Sequence, residues 1–176
     1  DHDNASREIA PFALHLRAPD VPLVKKGGAS IRAVLGYSNG VASPLVPPTP
    51  VRVIDVALED GAAFSQSLDP QENAFFFILE GGIRIGGAAA RAGDVVSFAR
   101  DGDALDVQAL DGGARFILFA GAPLNQQRVQ RGPFVARDAG QLQRFITNFQ
   151  SGGFGSLKPF AAQPDWAPND GQTLDR

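Results

Sequence analysis

The sequence predicts an all-β fold of the sandwich or roll type, with one α-helix near the C-terminus. Apolar runs recur about every ten residues between Gly- and Asp-rich turns, which is the spacing of a two-sheet β fold. Glycine (20) and proline (13) are frequent among the 176 residues, so turns must be common. Phenylalanine occurs 13 times, against one tyrosine and one tryptophan, which favours strands with a buried apolar face.

Composition excludes several classes of function. The formal net charge is −3 and no basic run exceeds the pair Lys25–Lys26, so the basic stripe that nucleic-acid phosphates require is absent from the sequence. The longest apolar run, Ala74–Leu79, is far shorter than the roughly 18 residues of a membrane-spanning helix. The sequence has no cysteine, which excludes disulfides, thiolate metal sites and thiol nucleophiles.

The start of the chain bears on its processing and location. The first residue is Asp1 and the sequence contains no methionine, so we expect a processed, trimmed or incomplete product. We expect a cytoplasmic location, and export after removal of a signal peptide stays open, because a cleaved signal leaves no trace.

The strand pattern is clearest from Val51 onwards. Ile54, Val56 and Leu58 alternate with less apolar side chains, which is the period-two pattern of a half-buried strand. Further strands are predicted over Ile9–Leu16, Ile31–Gly36, Ala74–Leu79, Ile83–Ile85, Asp94–Phe98, Leu105–Leu110 and Ala114–Ala120. The segments Glu80–Gly82 and Asp111–Gly113 are predicted to be turns between these strands.

A helix is predicted over residues 138–150. Asp138 and Gln141 have the spacing of an N-cap and its capping-box partner, and Gly152 and Gly153 end the pattern. Apolar residues at positions i, i+3, i+4 and i+7 form one face; they are Leu142, Phe145, Ile146 and Phe149.

These patterns divide the chain into four segments. They are an N-terminal arm or linker (1–29), a β-barrel (30–125), a C-terminal extension that contains the helix (126–156) and an extended tail with Trp166 (157–176).

Several stretches together resemble the C-terminal portion of the pirins, a family within the cupin superfamily. They are Gly36–Val41, Asn73–Gly81, Gly121–Asn125, Arg131–Val135 and Phe149–Gly155. The resemblance covers residues 9–156 and implies a cupin-type jelly-roll β-barrel. Pirins contain two cupin barrels that face one another, so it also implies that the 138–150 helix belongs to an extension that packs towards an N-terminal barrel.

The resemblance does not bring the family's iron site to this chain. That site lies on the N-terminal barrel and uses histidines and a glutamate, whereas His2 and His15 are thirteen residues apart and form no His-x-His motif. Cupin spacing counted from Gly61 places histidine slots at Ser67 and Asp69, a glutamate slot at Asn73 or Ala74, and a further histidine slot at Val96. Iron and manganese cupin sites require imidazole ligands, so we expect no metal in this barrel.

Four polar residues are candidates for ligand binding at the barrel mouth: Ser67, Asp69, Glu72 and Asn73. They would hydrogen-bond a small organic ligand, and the alternative is a solvated loop that precedes a buried strand. No catalytic residue is predicted.

The apolar helix face also has two interpretations. Leu142, Phe145, Ile146 and Phe149 either pack on their own barrel or cover a second cupin barrel, because monomers seldom leave such a patch exposed.

Two functional hypotheses follow. In the first, the chain is a non-catalytic binding or scaffolding barrel that orients a second cupin barrel through the 1–29 arm and the 138–155 extension. That partner would be an N-terminal domain or another copy in a homo-oligomer. In the second, which the resemblance to bacterial pirins implies, the whole protein is an iron-dependent dioxygenase acting on a flavonol such as quercetin. Its iron would then be held by a partner or missing domain, and no cofactor is expected in this chain.

Overall fold

The computed structural model describes residue 9 and residues 12–156, which form two compact units divided between Leu124 and Asn125. Predictions for His2, for most of residues 1–11 and for the 157–176 tail with Trp166 lie outside the described residues. The strands of the first unit are β1 (Leu23–Lys26), β2 (Ala29–Leu35), β3 (Tyr37–Ser38), β4 (Val41–Ala42), β5 (Val51–Leu58), β6 (Ala63–Ser67), β7 (Asn73–Ile85), β8 (Ala88–Arg91), β9 (Val95–Ser97) and β10 (Ala104–Gly121). The second unit contains β11 (Val129–Arg131), β12 (Phe134–Ala136) and α1 (Ala139–Gln150).

The first unit is built on one antiparallel sheet. Its strand order is β1-β2-β5-β10-β7-β8, with β6 also paired to β10 and β9 to β7, while β3 and β4 form a separate hairpin. The described residues also contain a short 3-10 helix at Ala18–Asp20. The all-β class with a single α-helix is therefore confirmed for the described residues.

Two long strands of this sheet, β10 and β7, each pair with different neighbours along their two halves. Residues Ala114–Gly121 of β10 pair with β5, whereas Ala104–Gln108 of the same strand pair with β6. In β7, the first half pairs with β9 and the second half with β8. Each of these two continuous strands thus contributes to two parts of the barrel.

The bends in these strands replace two predicted turns. Glu80–Gly82 and Asp111–Gly113 lie inside β7 and β10, so the prediction of turns there is wrong. The reason is that Gly81 and Gly113 have φ angles of +66° and +81°, which let a strand bend sharply without ending. The register of β7 against β10 shifts at the same place.

The core of the first unit is aliphatic and phenylalanine-rich. Phe76 and Phe116 are fully buried, with ring centroids 4.7 Å apart. Phe64 meets the ring of Phe116 at 5.7 Å, and Phe98 meets that of Phe76 at 5.0 Å. Each ring comes from a different strand or from a strand end, so this cluster holds the layers together.

Other differences from the sequence prediction concern short elements. No strand forms over residues 12–17, so the predicted Ile9–Leu16 strand is wrong, and the arm instead contributes β1 at the sheet edge. Strand β6 is not among the predicted strands, because its single apolar inward residue, Phe64, gives too little alternation to recognise.

The helix of the second unit begins as predicted. Asp138 is the N-cap, and its Oδ1 accepts a hydrogen bond from the Gln141 backbone N–H at 2.7 Å. The Gln141 Oε1 atom in turn accepts from the Arg137 N–H at 2.9 Å. The hydrogen bond from Gln141 lowers the pKa of Asp138 below its ordinary value. No helix among the described residues has the length and apolar character needed to cross a membrane.

Candidate functional site

On β6 and in the residues just after it, the positions that face the barrel interior are shifted by one residue from those expected. In β6, Phe64 and Gln66 are buried while Ser65 and Ser67 are exposed. The following Leu68 packs against the core and Asp69 is exposed. The two histidine slots therefore correspond to Gln66 and Leu68, and the placement at Ser67 and Asp69 is wrong, because the sequence spacing did not fix which residues of β6 point inward.

The remaining slots, for the glutamate and for the third histidine, hold apolar side chains. Val96 on β9 and Ala74 on β7 both belong to the core or pack against it. Of the two positions expected for the glutamate slot, Ala74 is buried and Asn73 is exposed, so Ala74 is the inward one. Glu72 is half-buried and precedes β7.

This donor set does not fit an iron ion of the kind that metal-binding cupin barrels hold. An iron site of the cupin kind takes imidazole nitrogens together with a carboxylate, and the inward positions offer an amide, two aliphatic side chains and a methyl group. Among residues 9 and 12–156, no group of three or more His, Asp or Glu side chains is placed to hold a metal ion.

Gln66 instead anchors a buried hydrogen-bond network. Ser38 Oγ, which is fully buried, donates to Gln66 Oε1 at 2.6 Å, and Gln66 Nε2 donates to the Ser67 carbonyl at 2.8 Å. Asn39 Nδ2 donates to Ser38 Oγ and to the Ser65 carbonyl, both at 3.1 Å. The sequence did not lead us to Gln66. The available signal was its position two residues after Phe64, which puts both side chains on the same face of a strand.

An ion pair fixes the loop between β6 and β7. Arg52 Nε donates to Glu72 Oε1 at 3.2 Å, and Arg52 Nη1 donates to the Ser67 carbonyl at 3.0 Å. The Asp69 backbone N–H donates to Glu72 Oε2 at 3.1 Å. The Glu72 carboxylate is thus used to hold this loop in place.

Two of the four predicted ligand-binding residues line a cavity of about 360 Å³, a volume within the range of small-molecule sites. These are Asp69 and Glu72, and Arg100 lies on the same rim. Apolar side chains cover much of the remaining wall; they are Leu68, Ala74, Ile85, Phe98 and Leu105.

The other two candidates lie elsewhere. Ser67 lines a second cavity of about 500 Å³ together with Asp69, Tyr37 and Arg52. Asn73 begins β7, where it pairs with Gly121, and is exposed.

The predicted interaction face of α1 is partly covered within the second unit. Leu142, Phe145 and Ile146 are half-buried, whereas Phe149 is exposed. The ring of Phe149 lies 5.6 Å from that of Phe134 and 5.9 Å from that of Phe154. The predicted face therefore extends into an exposed aromatic cluster.

The outer side of the main sheet carries a bidentate ion pair. Arg115 Nε and Nη2 donate to the two carboxylate oxygens of Asp55, each at 3.0 Å. These hydrogen bonds and the charge of Asp55 raise the pKa of the Arg115 guanidinium above its ordinary value.

Comparison with known proteins identifies relatives over most of the chain. A family model described as the pirin C-terminal cupin domain matches residues 53–155. Pirin-like protein 2 of Arabidopsis thaliana is 30% identical over 165 residues, covering 88% of this chain and 51% of that protein. Human pirin is 25% identical over 152 residues, covering 84% and 52%.

Two solved structures also match this chain in fold. A quercetin 2,3-dioxygenase from Acinetobacter baumannii matches with a TM-score of 0.73 and 23% identity, over 81% of this chain and 50% of that one. The Geobacillus kaustophilus protein GK1651 matches with a TM-score of 0.59 and 33% identity, over 63% and 47%. The chain spans about half the length of the curated relatives it matches. It belongs to the pirin family, in which it corresponds to the C-terminal cupin domain.

Proposed function

We propose that this chain acts as a binding or scaffolding barrel that supports a second cupin domain and holds no metal of its own. The observation that carries the proposal is the side-chain set at the inward cupin slots. Gln66 is used in a hydrogen bond to Ser38, and Leu68 and Val96 pack against the core. A barrel whose interior is packed in this way can offer a partner domain a surface of fixed shape, but it offers no metal ligands.

The relatives' length supports the partner in this proposal. This chain matches about half of each of them, and the matching family model is that of a C-terminal domain. A domain with this place in the relatives has another cupin half beside it. The 1–29 arm and the 138–155 extension are the proposed contacts.

A second candidate function is a part in an iron-dependent dioxygenase of the quercetin type. One solved neighbour with this fold is named a quercetin 2,3-dioxygenase. In this case the iron ligands lie on the other half of the protein, and this barrel forms one wall of the complete enzyme.

Oxygen uptake with quercetin separates the two candidates. The 176-residue chain, supplied anaerobically with Fe(II) and then exposed to oxygen, is expected to give no uptake above free Fe(II). The isolated N-terminal half of the Acinetobacter baumannii enzyme is then added. A higher thermal midpoint for that half supports the scaffolding role, and quercetin-dependent uptake by the mixture alone supports the dioxygenase role. Turnover by the chain alone would contradict the scaffolding proposal.

A further inference from the structure

Long cationic side chains surround two small residues on the outer side of the main sheet, which is the side opposite to the buried core. The small residues are Ser30 on β2 and Ala57 on β5, which pair with each other. Both alternate with buried residues of their strands, so their side chains point outward. Since adjacent strands lie about 4.8 Å apart, the two residues form a shallow floor about two strands wide.

This floor belongs to a hollow of about 340 Å³. We call it the cationic hollow, with Ser30 and Ala57 as its floor and Lys25, Arg32, Asp55 and Arg115 as its rim. The strand register explains this arrangement, because Lys25 of β1 pairs with Ser30, and Arg115 of β10 pairs with Ala57. The short floor residues leave the space that the longer rim side chains enclose.

Positive charge is in excess in the cationic hollow, since three cations and one carboxylate line it. Both oxygens of Asp55 accept hydrogen bonds from Arg115, so these two charges compensate each other. Glu80 pairs with Arg115 on the side away from Ala57 and does not line the hollow. The charges of Lys25 and Arg32 are therefore left uncompensated within the hollow.

Several hydrogen-bond donors of the hollow are available to a ligand. The side chains of Lys25, Arg32 and Ser30 form no hydrogen bond or ion pair with any other residue of the part of the chain that the structure describes. Arg115 binds Asp55 through Nε and Nη2, which leaves the two hydrogens of its Nη1 atom. The Arg115–Asp55 pair thus forms a fixed wall that still has donors.

We propose that the cationic hollow binds a phosphate-type dianion, either free phosphate or the phosphate group of a larger molecule. Two uncompensated cations match the charge of about −1.5 to −2 that a phosphate monoester carries at pH 7. The Arg32 guanidinium binds two phosphate oxygens at once, as arginine commonly does. Lys25 supplies the second positive charge, and the Ser30 hydroxyl donates from the floor.

Apolar side chains continue from the hollow across the sheet. Arg32 pairs with Asp55, Asp55 with Ile117, and Ile117 with Phe77, so these residues form one outward row. The organic part of a phosphate ester would lie along the apolar end of this row. All residues of the hollow face away from the barrel interior, so binding there requires neither a metal nor a partner domain and is independent of the scaffolding role.

Isothermal titration calorimetry of the 176-residue chain with inorganic phosphate tests this proposal. The titration is made at about pH 8, where phosphate is mostly a dianion, and at about 50 mM NaCl, where screening is weak. One saturable site per chain is expected. Arg32→Gln and Lys25→Gln are each expected to raise the dissociation constant at least about fivefold.

Lys26→Gln and Arg84→Gln are the matched controls. Lys26 follows Lys25 on β1 and points to the other side of the strand. Arg84 is exposed on β7 and does not line the hollow. Both controls are expected to bind phosphate as the wild-type chain does, and circular dichroism checks that each variant folds.

Phenyl phosphate and acetate are titrated in the same way to define the ligand. Tighter binding of phenyl phosphate than of phosphate supports an ester whose organic part contacts Ile117, whereas equal or weaker binding supports free phosphate. The proposal is overturned if no saturable binding occurs up to about 20 mM phosphate, or if singly charged acetate binds as tightly. It is also overturned if Arg32→Gln and Lys25→Gln bind phosphate as well as the wild-type chain does.

Discussion

The hydroxyl of Ser38 donates to the side-chain oxygen of Gln66 at 2.6 Å inside the barrel, across 28 positions of sequence. Both side chains are buried, at 0% and 4% exposure. This bond ties the β3–β4 hairpin to the strand that carries the histidine slots in metal-binding cupins. An amide therefore stands where a metal ligand would be needed, and it is satisfied by the protein itself.

Removing only the donor of this hydrogen bond is expected to destabilise the first unit. Ser38→Ala leaves the buried Gln66 oxygen without its donor and is expected to lower the free energy of unfolding by about 1–3 kcal/mol. Urea denaturation measures the change. The double variant Ser38→Ala/Gln66→Leu removes both polar partners and is expected to recover part of the loss. Gln66→Leu is the second single variant. If the double variant loses as much stability as the two single variants together, the bond is not the source of the stability.

The close approach of β10 to β5 gives a second prediction. A Cβ atom at Gly113 would lie 2.5 Å from the Leu58 carbonyl oxygen, whereas one at Gly112 would meet nothing within 4 Å. Both glycines have positive φ angles, +81° and +89°, so both alanine variants carry the strain of that conformation, about 1–2 kcal/mol.

Gly113→Ala is expected to cost about 1–3 kcal/mol more than Gly112→Ala, since it also forces two backbones apart. Thermal unfolding of the two variants measures the difference. Equal midpoints would show that the strands do not approach each other as described.

The Arg52–Glu72 ion pair gives a third prediction. Their side chains are 24% and 13% exposed, with nitrogen and oxygen 3.2 Å apart. Arg52→Ala leaves a largely buried carboxylate without its cation and is expected to cost about 1–3 kcal/mol by urea denaturation. Glu72→Gln is the control, because its amide oxygen still accepts from the Asp69 N–H. It should cost less than Arg52→Ala, and the reverse order would contradict the proposed role of the pair.

Helix α1 is expected to weaken in acid. The pKa of Asp138 is lowered in the folded chain by the hydrogen bond from the Gln141 N–H. The carboxylate therefore stabilises the helix above the ordinary aspartate pKa of about 3.9, and this contribution is lost as the pH falls through the lowered value.

Helical circular dichroism of Asp138→Asn and Asp138→Ala measures this effect. Asparagine keeps the cap without the charge, so its helix signal should change less between pH 5 and pH 2 than that of wild type. Alanine should lower the signal already at pH 7. If Asp138→Asn loses as much helix signal between pH 5 and pH 2 as wild type does, a group other than Asp138 causes the loss.

Much of the fold could be predicted because its signals are local. The alternation of Ile54, Val56 and Leu58 located β5, and the Asp138–Gln141 spacing located the start of α1, as the structure confirms. The bends at Gly81 and Gly113 were mistaken for turns, because a glycine pair has the same sequence appearance whether a chain reverses or only bends.

The site was harder to predict, since facing direction depends on long-range pairing. A shift of one residue exchanges the inward and outward sides of a strand. The pairing of β6 with β10 sets that register, and it places Gln66 rather than Ser67 inside. The Ser38 partner comes from the β3–β4 hairpin, whose two-residue strands are too short to show alternation, so no local pattern could reveal it.

The metal content of the barrel tests the central claim most directly. The purified chain is incubated anaerobically with Fe(II), freed of excess metal and analysed by elemental mass spectrometry, with Ser38→Ala as a parallel sample in which Gln66 has lost its hydrogen-bond donor. Both samples are expected to retain far less than one iron per chain, because the inward slots hold Gln66, Leu68 and Val96. About one tightly bound iron per wild-type chain would contradict the account and would require metal ligands that the inward slots do not provide.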